Sequence, residues 1–307
     1  MSSRSFLSLS LSHFDLPHTY HQDLGAMASD DVILSAHELK FFFGKKLTLR
    51  VEEKVDGGNL GISLSPSEKI ENSSRPAFRF QKRAHYISSS SEPQYRGLDV
   101  WASRHARALR SLLRMPLSDL VRDTSDRPAQ LGQRIVFGEW LAAQHSKSYV
   151  FLPDVFLVFD IFDRTFNGGR GGFVSANVRD EMLRRVRGMD GIDKLTGQHS
   201  RIYRVRTCMI GAFSSPKELK DMLYESRHGL SVYTNDPRKK KRLVRCEGFY
   251  LRLDNNSTGL LRARCKLVHG SFHQSVSEGR WERRSASNTV RKDLWIGLND
   301  DGVECVE

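Results

Sequence analysis

Long apolar runs are missing from this chain. The strongest, Val155 to Phe159, has the length of a strand, against the roughly 20 residues that a membrane-crossing helix needs. A membrane role is therefore not expected. Cysteine is scarce as well: Cys208, Cys246, Cys265 and Cys305 are the four, and no pair has Cys-x-x-Cys spacing. A chain of 307 residues buries enough core to do without staples. The four thiols read as reduced and intracellular, forming neither a zinc site nor a disulfide framework. The glycine-rich stretch Asn167-Gly168-Gly169-Arg170-Gly171-Gly172 reads as a flexible turn, because it lacks the helix-opening pattern of a phosphate loop. No internal repeat is present. Acidic residues are absent before Asp15, and the segment Met1 to Phe14 is rich in Ser and Leu with Arg4 its one basic residue. An organellar presequence is one reading of that start. A loose leader over residues 1–13 is the expected one.

What the chain does have is positive charge. It carries 48 Lys and Arg against 36 Asp and Glu, a net +12 with a pI near 9.7. That favours a polyanionic partner, nucleic acid before a membrane surface; the plain alternative is a merely basic soluble protein. The densest patch is Arg238-Lys239-Lys240-Lys241-Arg242 after Pro237. It reads equally as an RNA-backbone contact, a nuclear localisation signal or a solvated loop. The cytoplasm or the nucleus is the expected compartment.

Strand-like patterns predominate. Leu47, Leu49 and Val51 alternate before an Asp56-Gly57-Gly58 turn, and Leu60, Ile62 and Leu64 alternate after it, which predicts a hairpin over 47–65. Residues 66–76 are polar and turn-rich. Phe78 to Arg83 alternates like a strand, as do 135–141, 155–162, 243–253 and 262–268, the 155–162 run being apolar on both phases and so buried. A helix is predicted over 98–115, with Trp101, His105, Leu109 and Leu112 on its apolar side and Arg104, Arg107, Arg110 and Arg114 on its charged side. A second helix starts at the capping box Ser215-Pro216-Lys217-Glu218 and stops near Gly229. The expected class is α+β, built on antiparallel sheets with flanking helices. Ordered sequence is expected over 14–275, followed by a polar extension over 276–307 for which one terminal helix is a possible form.

Within that frame Lys54 is the candidate nucleophile. It sits in Glu53-Lys54-Val55-Asp56-Gly57-Gly58-Asn59, on the polar phase with Thr48, Arg50 and Glu52 at the mouth of the turn. A lysine so held attacks once its pKa falls toward neutrality, which nearby cations and partial burial promote. The plain alternative is a solvated surface lysine. A Lys-x-Asp-Gly pattern arises by chance in roughly one chain in ten or twenty, so it needs company. Four further clusters supply it, each putting a charged or aromatic residue on or beside a buried strand. They are Gln81-Lys82-Arg83, Gly138-Glu139, Phe159-Asp160-Ile161, and Glu247-Gly248 followed by Arg264-Cys265-Lys266. Singly, each has a dull explanation as a strand-end charge or a core ring.

In this order they resemble the covalent nucleotidyltransferase superfamily of ATP-dependent ligases and capping enzymes, and within it the phage RNA-ligase-2-like group. Lys54-x-Asp56-Gly57 resembles motif I, Arg83 motif Ia, Gly138-Glu139 motif III, Phe159-Asp160-Ile161 motif IIIa, Glu247-Gly248 motif IV and Arg264-x-Lys266 motif V. Motif V usually opens on lysine, where this chain has Arg264; arginine keeps the charge but is a fork rather than a point donor. The resemblance implies an ATP-grasp-like ligase adenylation domain over 14–275, with too little chain after motif V for an OB domain.

The function implied is an ATP-dependent RNA ligase that joins a 5′-phosphate to a 3′-hydroxyl through lysyl-AMP and an adenylylated RNA end. Its substrate would be nicked or broken RNA, it would act with Mg²⁺ or Mn²⁺, and a monomer is expected. Lys54 would be the nucleophile, with Asp56, Asn59, Arg83, Glu139, Phe159, Arg264 and Lys266 holding ATP. Glu247 and Asp56 would be the metal ligands. Cations at Lys266, Arg83 and Arg264 would lower the Lys54 pKa. Three alternatives stay open: a DNA ligase or a GTP-using capping guanylyltransferase on the same fold, or an inactive RNA-binding protein of ligase-like fold.

Overall fold

The structure, a computed structural model, describes residues 20–21, 41–43, 47–65, 78–82, 85–122, 133–192, 199–234, 244–269 and 287–290. Arg83, the 238–242 basic patch and the leader lie outside the described residues. Among the described residues, twelve strands form two sheets. The first has the order β1 (Tyr20–His21), β12 (Leu260–Val268), β11 (Gly248–Asn255), β2 (Leu49–Lys54), β10 (Thr207–Gly211). The second runs β5 (His85–Ile87), β4 (Phe78–Lys82), β3 (Gly58–Leu64), β6 (Arg134–Trp140), β7 (Phe156–Asp163), β8 (Gly172–Phe173), with β9 (Tyr203–Arg204) also on β7. Nearly all pairings are antiparallel; β1 with β12 and β7 with β9 are parallel. The class is α+β, as the sequence predicts.

The strands flanking Lys54 do not form a hairpin. β2 pairs with β11 and β10, while β3 pairs with β4 and β6. The chain leaves one sheet at Lys54 and enters the other at Gly58. The alternation is real but serves two cores. Leu49 and Val51 join Phe249, Leu251, Cys265 and Leu267 beneath helix α5 (Pro216–Glu225). Leu60, Ile62 and Leu64 face helices α1 (Leu98–Arg104), α2 (Ala106–Arg114) and α4 (Ala176–Arg185) across the other sheet. The opposite phases, Arg50, Glu52 and Lys54 on β2 and Tyr250 and Arg252 on β11, turn toward the second sheet. A third core containing Val55, Phe137, Leu157 and Phe159 fills the space there.

Other local expectations change in detail. The predicted 98–115 helix breaks at His105 into α1 and α2, although Trp101, His105, Leu109 and Leu112 are all buried as predicted. Helix α4 was not predicted. Its cap is Ser175, whose side chain accepts from Val178 N–H, and Asp254 of β11 accepts from Ala176 N–H at 2.9 Å. At the glycine-rich turn a short helical segment, α3 (Phe166–Gly169), ends on the positive φ of Gly169, and Gly171 also has a positive φ. Helix α5 ends at Glu225, one 3-10 turn before Gly229. Of the C-terminal extension, residues 287–290 are described and lie extended, with bridges Ala143–Ser287 and Leu152–Val290, where a helix was the form considered. Among the described residues no helix is long and apolar enough to cross a membrane.

Candidate active site

The site lies where the chain passes from one sheet to the other. Gly57 is tightly enclosed at the crossing: a Cβ there would sit 2.5 Å from the Trp140 carbonyl oxygen. Its N–H donates to Glu139 Oε1 at 3.0 Å. Asp56 pins the crossing to the following loop, its Oδ2 accepting from the backbone N–H groups of Ser146 (2.8 Å) and Lys147 (2.9 Å) and from the Ser146 hydroxyl. The Asp56 N–H donates to the Tyr149 hydroxyl at 2.8 Å. That carboxylate, expected on ribose, metal or a 5′-phosphate, is thus engaged by three donors of the chain itself.

β2 ends beside Gly248, which is opposite Lys54 in the ladder. A Cβ on Gly248 would meet the Leu267 carbonyl at 2.2 Å, so the strand bearing Glu247 can approach only as glycine. Lys54 Nζ donates to Glu247 Oε1, and both groups are largely buried. The second Glu247 oxygen and Asn59 Oδ1 are buried and have no hydrogen-bond partner among the described residues. Lys266 is buried on β12 opposite Tyr250. The Tyr250 ring lies nearly parallel to Phe159, centroids 6.0 Å apart.

Phe159 is the extra residue of a β-bulge. Phe137 pairs with Asp160 and Gly138 with Val158, so Phe159 has no partner on β6. Bulges of this kind re-aim a side chain. A Cβ on Gly138 would collide with the Phe156 ring at 2.5 Å, which explains glycine beside Glu139.

The electrostatics correct one expectation. Burial pulls the Lys54 pKa down, but the adjacent Glu247 carboxylate, with Tyr250 and Glu139, outweighs it and holds the lysine well above its ordinary value. No cation wins the contest. Burial pushes Glu247 up to about 6 against the attraction of Lys54, with Asp56 adding to the rise. Burial pushes Glu139 to about 8, again opposed by Lys54 and reinforced by Glu247 and Asp56. Near neutrality the site therefore holds an ammonium, a carboxylate and a largely protonated Glu139.

Arg264 is also directed elsewhere than expected. Its guanidinium pairs with Asp160, which Arg252 also engages, and lies 4.2 Å over the Phe173 ring. A planar fork can pair and stack at once, where an ammonium cannot. The structure thus brings together Lys54, Glu247, Lys266, Tyr250 and Phe159 on one side and Asp56, Asn59 and Glu139 on the other. Arg83 and the 238–242 patch cannot be located among the described residues. Tyr149, Ser146, Lys147 and Tyr250 are site residues the sequence reading did not single out. Tyr250 alone had a signal, two residues on from Gly248 and in phase with it.

A profile of the RNA ligase family matches residues 47–268, which spans every motif described above. The chain belongs to the RNA ligase family. No curated protein matches it. Among solved structures, this RNA ligase family member is similar to Naegleria gruberi RNA ligase. A lysine-to-alanine variant with ATP and Mn aligns at TM-score 0.44 and 12% identity over 77% of this chain and 53% of that one. The form with PPi aligns at TM-score 0.46 and 12% identity over 83% and 60%. The chain spans a little over half the length of those proteins.

Proposed function

We propose that this RNA ligase family member is an ATP-dependent RNA ligase working through lysyl-AMP. The observation that carries the reading is the buried Lys54–Glu247 contact, with the other Glu247 oxygen left without a partner and Glu139 across the crossing. A solvated surface lysine has no such surroundings. In the first step neutral Lys54 Nζ attacks the α-phosphorus of ATP. An N–P bond forms, the P–O bond to the β-phosphate breaks, pyrophosphate leaves with the electron pair, and Nζ gives up one proton to solvent. A 5′-phosphate oxygen of RNA then attacks the same phosphorus and Lys54 departs, regaining a proton. The 3′-hydroxyl, giving its proton to solvent, attacks the activated 5′-phosphate; a P–O bond forms, the P–O bond to AMP breaks, and AMP leaves with the electron pair.

The residues fit these steps. Phe159, aimed by its bulge, offers a face for adenine, which gives affinity without charge. Glu139, half-buried beside the crossing, is a ribose partner, and Lys266 is a buried cation suited to phosphate. The orphaned Glu247 oxygen suits a hard divalent ion, and Mg²⁺ is commonly held by one or two carboxylates with substrate phosphates supplying the rest. Asp56 is the weaker ligand, because its Oδ2 is already spent. When bound, such an ion supplies charge neutralisation at the phosphates. Glu247 engaged in that way no longer holds Lys54, and burial then favours the neutral amine.

The test is incubation of pure protein with α-labelled ATP and Mg²⁺, beside Lys54→Ala, read by denaturing electrophoresis after prior stripping with pyrophosphate. A labelled band lost in the variant is expected. Absence of any band from ATP would refute the reading, and a band from GTP alone would turn it toward capping chemistry. Nicked RNA against nicked DNA then identifies the acceptor, RNA being expected.

A further inference from the structure

We propose that Arg179, on a helix that carries none of the expected site residues, is a positioning residue for the nucleotide site: it fixes the Phe159 bulge against the strand that bears Lys54. This rests on the lysyl-AMP reading above.

Arg179 is completely buried, a rare state for an arginine without dedicated partners. Its guanidinium makes a two-pronged contact with Glu52, Nη2 to Oε1 at 2.6 Å and Nη1 to Oε2 at 3.0 Å. Glu52 lies two residues before Lys54 on the same face of β2. Nη1 also donates to the Phe159 carbonyl at 2.6 Å. That carbonyl needs such a donor. The bulge removes its partner on β6, and the pairing of β7 with β9 covers Leu157 and Val158 only. Arg252 gives a second, longer bond to the same oxygen, at 3.1 Å. A buried carbonyl released from the ladder is thus held by two guanidinium groups in place of a strand.

The helix is well fixed for this task. Asp254 and the Gly259 carbonyl hold its first turn from the β11–β12 hairpin. Val178, Met182 and Leu183 anchor it in the core against the other sheet. Its neighbours Asn177 and Asp180 both engage Arg50, four residues before Lys54. The helix therefore grips β2 at two positions on the nucleophile's face and grips the bulge of β7 from the same turn. Arg179 makes no hydrogen bond to the side chain of an expected nucleotide-binding residue; its contact with Phe159 is to the carbonyl. Its effect on nucleotide passes through the aim of Phe159 and the height of Lys54. The guanidinium also pairs with Asp180 of its own helix, Nε to Oδ1 at 2.9 Å; only a fork can serve Glu52, Asp180 and the Phe159 carbonyl at once, so lysine does not replace it.

The experiment measures labelling of the full chain by α-labelled ATP across ATP concentration, in wild type, Arg179→Lys and Glu52→Gln, with thermal melts of each. The expected result for Arg179→Lys is an apparent KM for ATP raised about tenfold or more, with the rate at saturating ATP within about threefold of wild type. A lowered melting temperature with unchanged KM would overturn the proposal, because a merely structural residue behaves so. If Arg179→Lys does not fold, Glu52→Gln decides, since it keeps shape and one prong. A raised KM in that variant supports the proposal and an unchanged one overturns it. Wild type without Lys54-dependent label would instead remove the underlying lysyl-AMP reading, and the proposal with it.

Discussion

Replacing Glu139 with glutamine should stabilise the protein in base and leave it unaltered in acid. The Glu139 carboxyl moves from an ordinary 4.5 to about 8, with burial the largest cause and Lys54 opposing it. A carboxyl that binds its proton more tightly in the fold than in the unfolded chain favours folding most at low pH. That contribution is lost as pH rises from 4.5 through about 8. At ~1.4 kcal/mol per pKa unit the whole gap would come to ~5 kcal/mol. Glu139 is half-buried, so water takes back some of the penalty and ~2–3 kcal/mol is the better figure. Glutamine keeps the size of the side chain and an acceptor for the Gly57 N–H, but it never ionises. With ~2–4 °C of melting temperature per kcal/mol in a chain of this size, the variant should melt ~5–10 °C above wild type at pH 9. At pH 5 the two should agree within ~2 °C. Thermal melts of both proteins across pH 5–9 make the comparison. An offset of the same size at both ends would refute the reasoning, since the effect would then be one of packing and not of charge.

Two further substitutions probe the frame around the site. Gly138→Ala puts a Cβ 2.5 Å from the Phe156 ring and 2.6 Å from the Leu157 carbonyl, and overpacking of this kind costs ~1–3 kcal/mol; an unchanged urea midpoint would contradict it. Asp160→Asn leaves Arg252 and Arg264 buried against a neutral group, a loss of ~3–5 kcal/mol. The Asp160 pKa is low because Arg252 and Arg264 overcome its burial. The stability it confers is therefore present at neutral pH and lost only as pH falls below the ordinary carboxylate range. Urea melts at pH 7 that agree with wild type within ~1 kcal/mol would refute this.

The alternation around Lys54 was readable because period two is a property of each strand alone. Leu49, Val51, Leu60, Ile62 and Leu64 are all buried as that period requires. What the period cannot carry is which strand pairs with which. An Asp-Gly-Gly between two alternating runs looks the same whether the strands fold back on each other or part into separate sheets. The partners that decide it, β11 and β6, are remote in sequence. Helix α4 escaped notice for a different reason. Arg179 stands within its apolar positions Val178, Met182 and Leu183, and a buried charge breaks the stripe that marks a helix. The break at His105 has no Gly or Pro to announce it. The loop 146–149 has no periodicity at all, and its place in the site comes from hydrogen bonds to Asp56.

The same buried charges bear on how a lysine so placed can be switched. Burial acts downward on Lys54, and Glu247, with Tyr250 and Glu139 behind it, acts upward. Burial is built into the fold and does not change without unfolding. Arg264, expected to help depress the pKa, pairs with Asp160 and stacks over Phe173. Among the groups that raise the Lys54 pKa, Glu247 is the largest and the one in direct contact, so its capture by a ligand has the greatest effect. If Lys54 is the nucleophile, its activation is a change of partner and not a fixed low pKa. The resting pair keeps both charges compensated in a low-dielectric site, where either alone would be costly. On this reading a ligand that draws Glu247 away frees an amine that burial has already biased toward the neutral form, so the fold stores reactivity without displaying it.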